Sequence, residues 1–479
     1  MWHSVCRHFE RQEDFLNTLS NTEYPIAVLG AGPIGLAAAA HLLEQGFNPV
    51  IFESGNAVAT SFRDFAQVRL FSPWRYNIDK AARKLLEANG WIAPSDDDLP
   101  TAGEVVQQYL QPFAEIPAVK SRLKLNAHVV EITRKGYDKV RTKGREHAPF
   151  IIRAEIGGKL QEFMASGVID ATGNWHQPNP IGANGLPAIG ERDFADRIEY
   201  GMPDILGRLR DRYLGKCILV VGGGHSAAGS LIALAELAKN DPRTRIHWAI
   251  RGSNLTRIFG GGEADGLPAR GALGIKLRSL VENGQLTLHK NFNIREIRNE
   301  NGSLTVIPEL DQGEAAQIQG VDEIVAGTGS RPDLSITREL RVRLDAWLES
   351  VEALAPLIDP NEHSCGTVRP HGRRELSHPE PNFYIAGAKS YGRAPTFLMA
   401  TGYEQVRSIA AAMAGDFASA DDVQLDLPET GVCSSDFSDS GGRGGCCGIE
   451  PKKTTGLAVE QSCCSTGNVT SSKQVACCG

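Results

Sequence analysis

Two short glycine patterns constrain this chain more than any other feature. Gly30-Ala31-Gly32-Pro33-Ile34-Gly35 fits G-x-G-x-x-G, and Gly222-Gly223-Gly224-His225-Ser226-Ala227 fits G-x-G-x-x-A. Each lies between an apolar run and an alanine/leucine-rich stretch. Ile26 to Leu29 reads as a strand, Leu36 to Gln45 as a helix and Pro49 to Phe52 as the next strand. Cys217 to Val221, Ser226 to Ala238 and Arg245 to Ile250 repeat that order. In such a βαβ unit the first glycine turns the chain and the second lets backbone approach a pyrophosphate. The third small residue lets helix pack on strand. The helix N-terminus then offers amides and a dipole to the phosphates.

The residues that end the second strands separate the two sites. Glu53 follows the first, where a carboxylate can accept both hydroxyls of a ribose. Arg251 follows the second, where a guanidinium suits a 2′-phosphate and favours NADP over NAD. His225 opens the second helix and reads as a cofactor-adjacent or structural histidine rather than a base. Candidate dinucleotide contacts are therefore Gly30, Gly32, Gly35 and Glu53, then Gly222, Gly224, Ser226, Ala227 and Arg251.

Three further strands end in glycine turns: Val168 to Asp170 before Ala171-Thr172-Gly173, Glu323 to Ala326 before Gly327-Thr328-Gly329, and Phe383 to Ala386 before Gly387. A long helix is expected from Thr401 to Ala414. This order predicts an α/β chain with two doubly wound, Rossmann-like dinucleotide-binding domains, the second inserted in the first. The expected limits are 1–200 and 319–427 for the first domain, 201–318 for the insert and 428–479 for a flexible tail. The tail is dominated by Gly, Ser, Thr and Cys and has one aromatic residue, Phe437, too little apolar surface to fold alone.

Composition excludes several classes. A net charge of −7 gives no electrostatic footprint for nucleic acid or an anionic membrane. No apolar run reaches about 18 residues, so no spanning helix is expected, and the polar N-terminus lacks the apolar core of a signal peptide. Seven of the 10 cysteines lie after residue 432, unlike a disulfide framework spread through a fold. A reducing cytoplasm is the expected compartment. A homo-oligomer is compatible with the sequence, which does not set the oligomeric state.

Two nested dinucleotide domains joined by these strands resemble the two-dinucleotide-binding-domain flavoproteins. That resemblance implies FAD at the first fingerprint and NADPH at the second. Ala171-Thr172-Gly173 and Gly327-Thr328-Gly329-Ser330-Arg331-Pro332-Asp333 are similar to the family's strand-end motifs, which adds Thr172, Gly173, Thr328, Gly329 and Gly387 as cofactor contacts. Val68-Arg69-Leu70-Phe71-Ser72-Pro73-Trp74 is similar to a stretch of flavin-containing monooxygenases. There NADPH reduces the flavin, the flavin meets oxygen, and no protein nucleophile is needed, so no catalytic side chain is assigned. Two departures stand out. Ala388 replaces the aspartate usual after Gly387, so the ribityl contact must come from elsewhere. Phe194 stands where the monooxygenase motif has a histidine. No C-x-x-C occurs, which argues against a thioredoxin-reductase route.

The vicinal pairs Cys446-Cys447, Cys463-Cys464 and Cys477-Cys478 suit a soft thiophilic ion. The end Ala476-Cys477-Cys478-Gly479 resembles mercuric reductases. The whole pattern, with Arg369-Pro370-His371-Gly372 and Ser390-Tyr391-Gly392-Arg393-Ala394-Pro395-Thr396, resembles flavin-binding monooxygenases of bacterial arsenic-resistance operons. The expected partners are a small-molecule or metalloid substrate and molecular oxygen. Three functions stay open: an NADPH-consuming monooxygenase, a flavin reductase using the tail thiols, and a non-catalytic soft-metal-binding flavoprotein.

Overall fold

The computed structural model describes residues 23–260, 262, 268–309, 317–363 and 368–425. Along the chain run β1 (Ile26–Leu29), α1 (Pro33–Glu44), β2 (Pro49–Phe52) and α2 (Lys80–Ala88). Then come β3 (Leu123–Lys124), β4 (Ala127–Arg134), β5 (Phe150–Ile156), β6 (Lys159–Ala165), β7 (Gly167–Asp170) and β8 (Ile198–Tyr200). The next group is β9 (Cys217–Val221), α3 (His225–Ala238), β10 (Arg245–Ala249), α4 (Pro268–Glu282) and β11 (Thr287–His289). The chain continues through β12 (Ile294–Glu300), β13 (Ser303–Pro308), β14 (Ile318–Val321) and β15 (Glu323–Ala326) to β16 (Phe383–Ile385) and α5 (Met399–Met413).

Two five-stranded parallel sheets carry the two glycine patterns, in the orders β16-β7-β1-β2-β3 and β11-β10-β9-β15-β8. Parallel strands need crossovers and are covered on both faces, so they read as continuous apolar runs. In β9 this is explicit. Ile218 and Val220 join the cluster under α3 and α4 with Trp248, while Leu219 and Val221 join the opposite cluster with Leu304 and Val306. Two antiparallel three-stranded sheets, β4-β5-β6 and β12-β13-β14, complete the lobes.

Local chemistry sets the ends of the elements. Pro33 occupies the first turn of α1, where its missing N–H costs nothing. The helix therefore starts three residues before the expected Leu36. It is buried along most of its length, because alanines let it lie close to its neighbours. Asp79 caps α2 by accepting from the Ala82 N–H at 2.9 Å, and its other oxygen meets His41 of α1 at 2.9 Å.

One expectation needs correction. The sequence places the return to the first domain at residue 319, with the insert spanning 201–318. The structure puts β15 in the second sheet, parallel to β9 on one side and β8 on the other. The second lobe thus takes in Ile198–Tyr200 before it and Glu323–Ala326 at its end. The reason is that a strand entering Gly-Thr-Gly looks the same from either sheet, and only pairing decides. No described helix is long and apolar enough to cross a membrane.

Candidate functional site

The first crevice opens at the carboxyl ends of β2, β1, β7 and β16. Gly30 has φ +90°, and a Cβ there would stand 2.8 Å from the Ala171 carbonyl oxygen. The turn is thus pressed against the strand-end motif of β7, and only glycine fits. At Gly35 a Cβ would lie 1.9 Å from the Gly30 oxygen, the close approach expected of the third position. Gly32 is the opposite case, because no protein atom lies within 4 Å of where its Cβ would be. Space is therefore open beside the Gly32 backbone at the N-terminus of α1, the place where a pyrophosphate is expected.

Glu53 is buried, and its two oxygens accept from the Ala31 and Gly55 N–H groups, each at 2.8 Å. The carboxylate therefore fixes the glycine turn, with lone pairs left over for ribose hydroxyls. Thr172 is exposed at the crevice. Gly173 follows it with φ +71°, and Gly387, at φ +72°, packs directly against Ile34.

Sequence reasoning missed the polar network below this crevice. Lys389 Nζ lies 2.7 Å from Asp170 Oδ2 and 3.0 Å from Thr172 Oγ1. The Thr172 hydroxyl donates to Asp170 Oδ1 at 2.7 Å. The turn carrying Lys389 is held from behind: the Gly387 N–H donates to Gln405 Oε1 at 2.8 Å, and Gln405 Nε2 donates to Ser390 Oγ at 3.0 Å. Gln405 Nε2 also lies 2.8 Å from His371 Nε2, and His371 Nδ1 lies 3.1 Å from the Arg369 carbonyl. Those partners fit a neutral ring protonated on Nδ1, and burial, which lowers its pKa, agrees. The structure thus joins the two sequence stretches around His371 and Ser390. The signal in the sequence was the turn without its usual acid.

The second crevice lies at the ends of β10, β9 and β15. Gly222 has φ +125°, and a Cβ there would meet the Gly327 oxygen at 2.2 Å. Its carbonyl accepts from the Trp248 indole N–H at 2.8 Å, an anchor with no motif of its own. Ala227 is fully buried against Gly327, which explains the alanine in the third position. Gly224 precedes α3 with open space beside it, like Gly32. Ser226 lies in the first turn of α3, and its carbonyl accepts from Ser230 Oγ at 3.0 Å.

Thr328 and Gly329 are tied to Asn179. Thr328 Oγ1 donates to the Asn179 carbonyl at 2.5 Å, and the Asn179 N–H donates to the Gly329 carbonyl at 2.9 Å. Arg251 is exposed just past β10, with a 3.4 Å hydrogen bond to the Ala183 carbonyl. The two lobes meet at the rings of Phe71 and His225, whose centroids are 5.2 Å apart at 62°.

Near Phe194 the structure shows a packed turn. Glu191 is buried and accepts from the Ile181 and Ala188 N–H groups at 3.0 and 2.6 Å and from the Tyr200 hydroxyl. Phe194 packs on the apolar cluster around Ile297. A cleft of about 700 Å³, lined by residues that include Arg63, Asp64, Gln67, Glu104, Asp204 and Arg208, opens beside the short helix Thr60–Asp64. The residue before that helix, Ala59, donates its N–H to the Ala31 carbonyl of the first glycine turn at 3.0 Å.

The six candidate metal ligands, Cys446, Cys447, Cys463, Cys464, Cys477 and Cys478, lie outside the described residues. Among the described residues no group of three or more His, Cys, Asp or Glu could hold a metal. Cys217 is buried in β9, and burial pushes its thiol pKa up, away from thiolate chemistry.

A parallel sheet with a glycine turn, a helix N-terminus and a strand-end acid or arginine, present twice, defines a two-site dinucleotide oxidoreductase. The profile of the pyridine nucleotide-disulphide oxidoreductase family matches residues 27–365, and the chain belongs to that family. Flavin-containing monooxygenase 3 of Macaca mulatta is 24% identical over 221 residues, 45% of this chain. The aligned part is 38% of that curated relative's length. Among solved structures, bacillithiol disulfide reductase from Bacillus cereus is 20% identical with TM-score 0.59, over 82% of this chain and 98% of that one. The FAD-bound cadaverine monooxygenase of the desferrioxamine pathway of Erwinia amylovora is 14% identical with TM-score 0.56, over 86% and 100%. The fold is thus that of two-dinucleotide-domain flavoproteins, as the motifs implied.

Proposed function

We propose that this chain is an FAD-dependent oxidoreductase of monooxygenase type that consumes NADPH. The observation that carries it is the pair of open glycine cradles, Gly32 ending on Glu53 and Gly224 ending on Arg251. FAD suits the first, because the space beside Gly32 is clear of protein and the Glu53 carboxylate is fixed at the end of β2, where a ribose is expected. NADPH fits the second, where Arg251 is exposed for a 2′-phosphate. When bound, FAD supplies the hydride acceptor and the centre that reacts with oxygen.

The protein's own residues bind and orient. The N–H groups around Gly32 and Gly224 receive the two pyrophosphates. Glu53 holds one ribose, and the buried Gln405 network fixes the turn that faces the flavin crevice. Thr172, Gly173, Gly387, Gly222, Ser226, Ala227, Thr328 and Gly329 shape the walls.

The vicinal cysteines favour a second reading, in which electrons pass to tail thiols or the tail delivers a soft metalloid such as arsenite. Purified protein given NADPH with and without oxygen, and with and without arsenite, separates the two. Oxygen-dependent NADPH loss that survives deletion after Leu427 supports the monooxygenase. Anaerobic loss that stops in the deletion variant supports the thiol route. Arsenite-stimulated turnover in the full chain supports the metalloid link.

A further inference from the structure

The crevice proposed for FAD contains a charge pair that a dinucleotide turn does not require. Asp170 ends β7, flanked in register by Leu29 of β1 and Ile385 of β16. It therefore lies between the Gly30–Gly35 turn and the Gly387–Tyr391 turn, on the edge where the pyrophosphate is expected. Its side chain is fully buried, and the Lys389 side chain beside it is 1% exposed. Thr172, at the exposed surface of the crevice, bridges the two, donating to Asp170 and accepting from Lys389.

Electrostatics explain why such a cation belongs there. Glu53 follows β2 and Asp170 ends β7, so two carboxylates flank β1 at the sheet end that is to receive a doubly negative pyrophosphate. Charges two strand spacings apart still interact through a low local dielectric, and each adds to the repulsion felt by an anion bound between them. Glu53 is offset by two backbone N–H groups. Asp170 accepts from Thr172, through its hydroxyl and more distantly through its N–H at 3.2 Å, but Lys389 is the opposite charge on it. Lys389 also holds a fixed position, because the Gly387 N–H and Ser390 Oγ on its turn are both bonded to buried Gln405.

We propose that Lys389 neutralises Asp170 so that the first crevice accepts an anionic dinucleotide, a positioning residue set beside the place where Ala388 replaces the expected acid. This rests on the reading of that crevice as the FAD site.

The test is FAD binding to the apoprotein, read by quenching of flavin fluorescence at pH 8 and low salt. Lys389→Met weakens FAD about tenfold or more at low salt. Asp170→Asn combined with Lys389→Met removes both charges and binds within about threefold of the wild type. Asp170→Asn alone, leaving an uncompensated cation, binds more tightly at low salt, and this variant still decides the matter if Lys389→Met does not fold.

A merely structural ion pair predicts otherwise: lower thermal stability of the apoprotein with FAD affinity unchanged in Lys389→Met. That result overturns the proposal, as does a double variant as weak as Lys389→Met or weaker binding by Asp170→Asn. Wild-type apoprotein that takes up no FAD overturns the assignment of the crevice itself. Normal wild-type uptake with unaffected variants overturns only the role of Lys389.

Discussion

Gly32 and Arg251 illustrate how much a single position can carry. A Cβ at Gly32 meets no protein atom, so a larger side chain fills the open space without disturbing the core. Gly32→Val is expected to yield folded protein with no bound flavin, checked by circular dichroism and visible absorbance; a flavin-replete variant contradicts the assignment. Arg251 stands exposed at the second crevice, and Arg251→Ala should lower the NADPH:NADH ratio of kcat/KM by about tenfold or more. An unchanged ratio rejects the 2′-phosphate contact. Both positions are expectations of the sequence, since fingerprint glycines and the residue after the second strand have fixed spacing. Asp170, Lys389 and Trp248 are not, because their partners come from segments distant in the chain and only the folded sheet brings them together.

At the scale of elements, the parallel strands were legible as apolar runs, and the antiparallel sheets were not. β6 reads Lys-Leu-Gln-Glu-Phe-Met-Ala with its first half exposed, a pattern that pairing with β5 specifies and local propensity does not. The β4-β5-β6 sheet is fastened by a buried clasp. Glu380 accepts from Arg134 at 2.8 Å and from Arg145 at 2.9 Å, tying β4 and the segment before β5 to the segment before β16. Glu380→Gln leaves two guanidinium groups without their counter-charge and should cost about 3 kcal/mol in urea unfolding; a loss below ~1 kcal/mol contradicts the clasp.

His378 lies two residues before Glu380, and burial pushes its pKa down to about 4. The folded protein keeps the ring neutral while the unfolded chain protonates it near pH 6.5. Its contribution is therefore complete above pH 6.5 and is lost as pH falls toward 4, about 2 kcal/mol between pH 7 and 5. His378→Phe should flatten that part of the pH–stability profile, and an unaltered slope rules the effect out.

The described residues form two dinucleotide lobes that touch at Phe71 and His225. We propose that the two cofactors approach one another near that contact for hydride transfer. Phe71→Ala should slow flavin reduction by roughly tenfold with NADP affinity unchanged. Stopped-flow reduction at the wild-type rate shows that the contact plays no part.

The central claim, that NADPH in the second lobe reduces FAD in the first, is met most directly by an anaerobic titration of the purified protein with NADPH, following the visible flavin band. The account predicts that the band bleaches with NADPH and returns when oxygen is admitted. A bound flavin that stays oxidised in excess NADPH contradicts it.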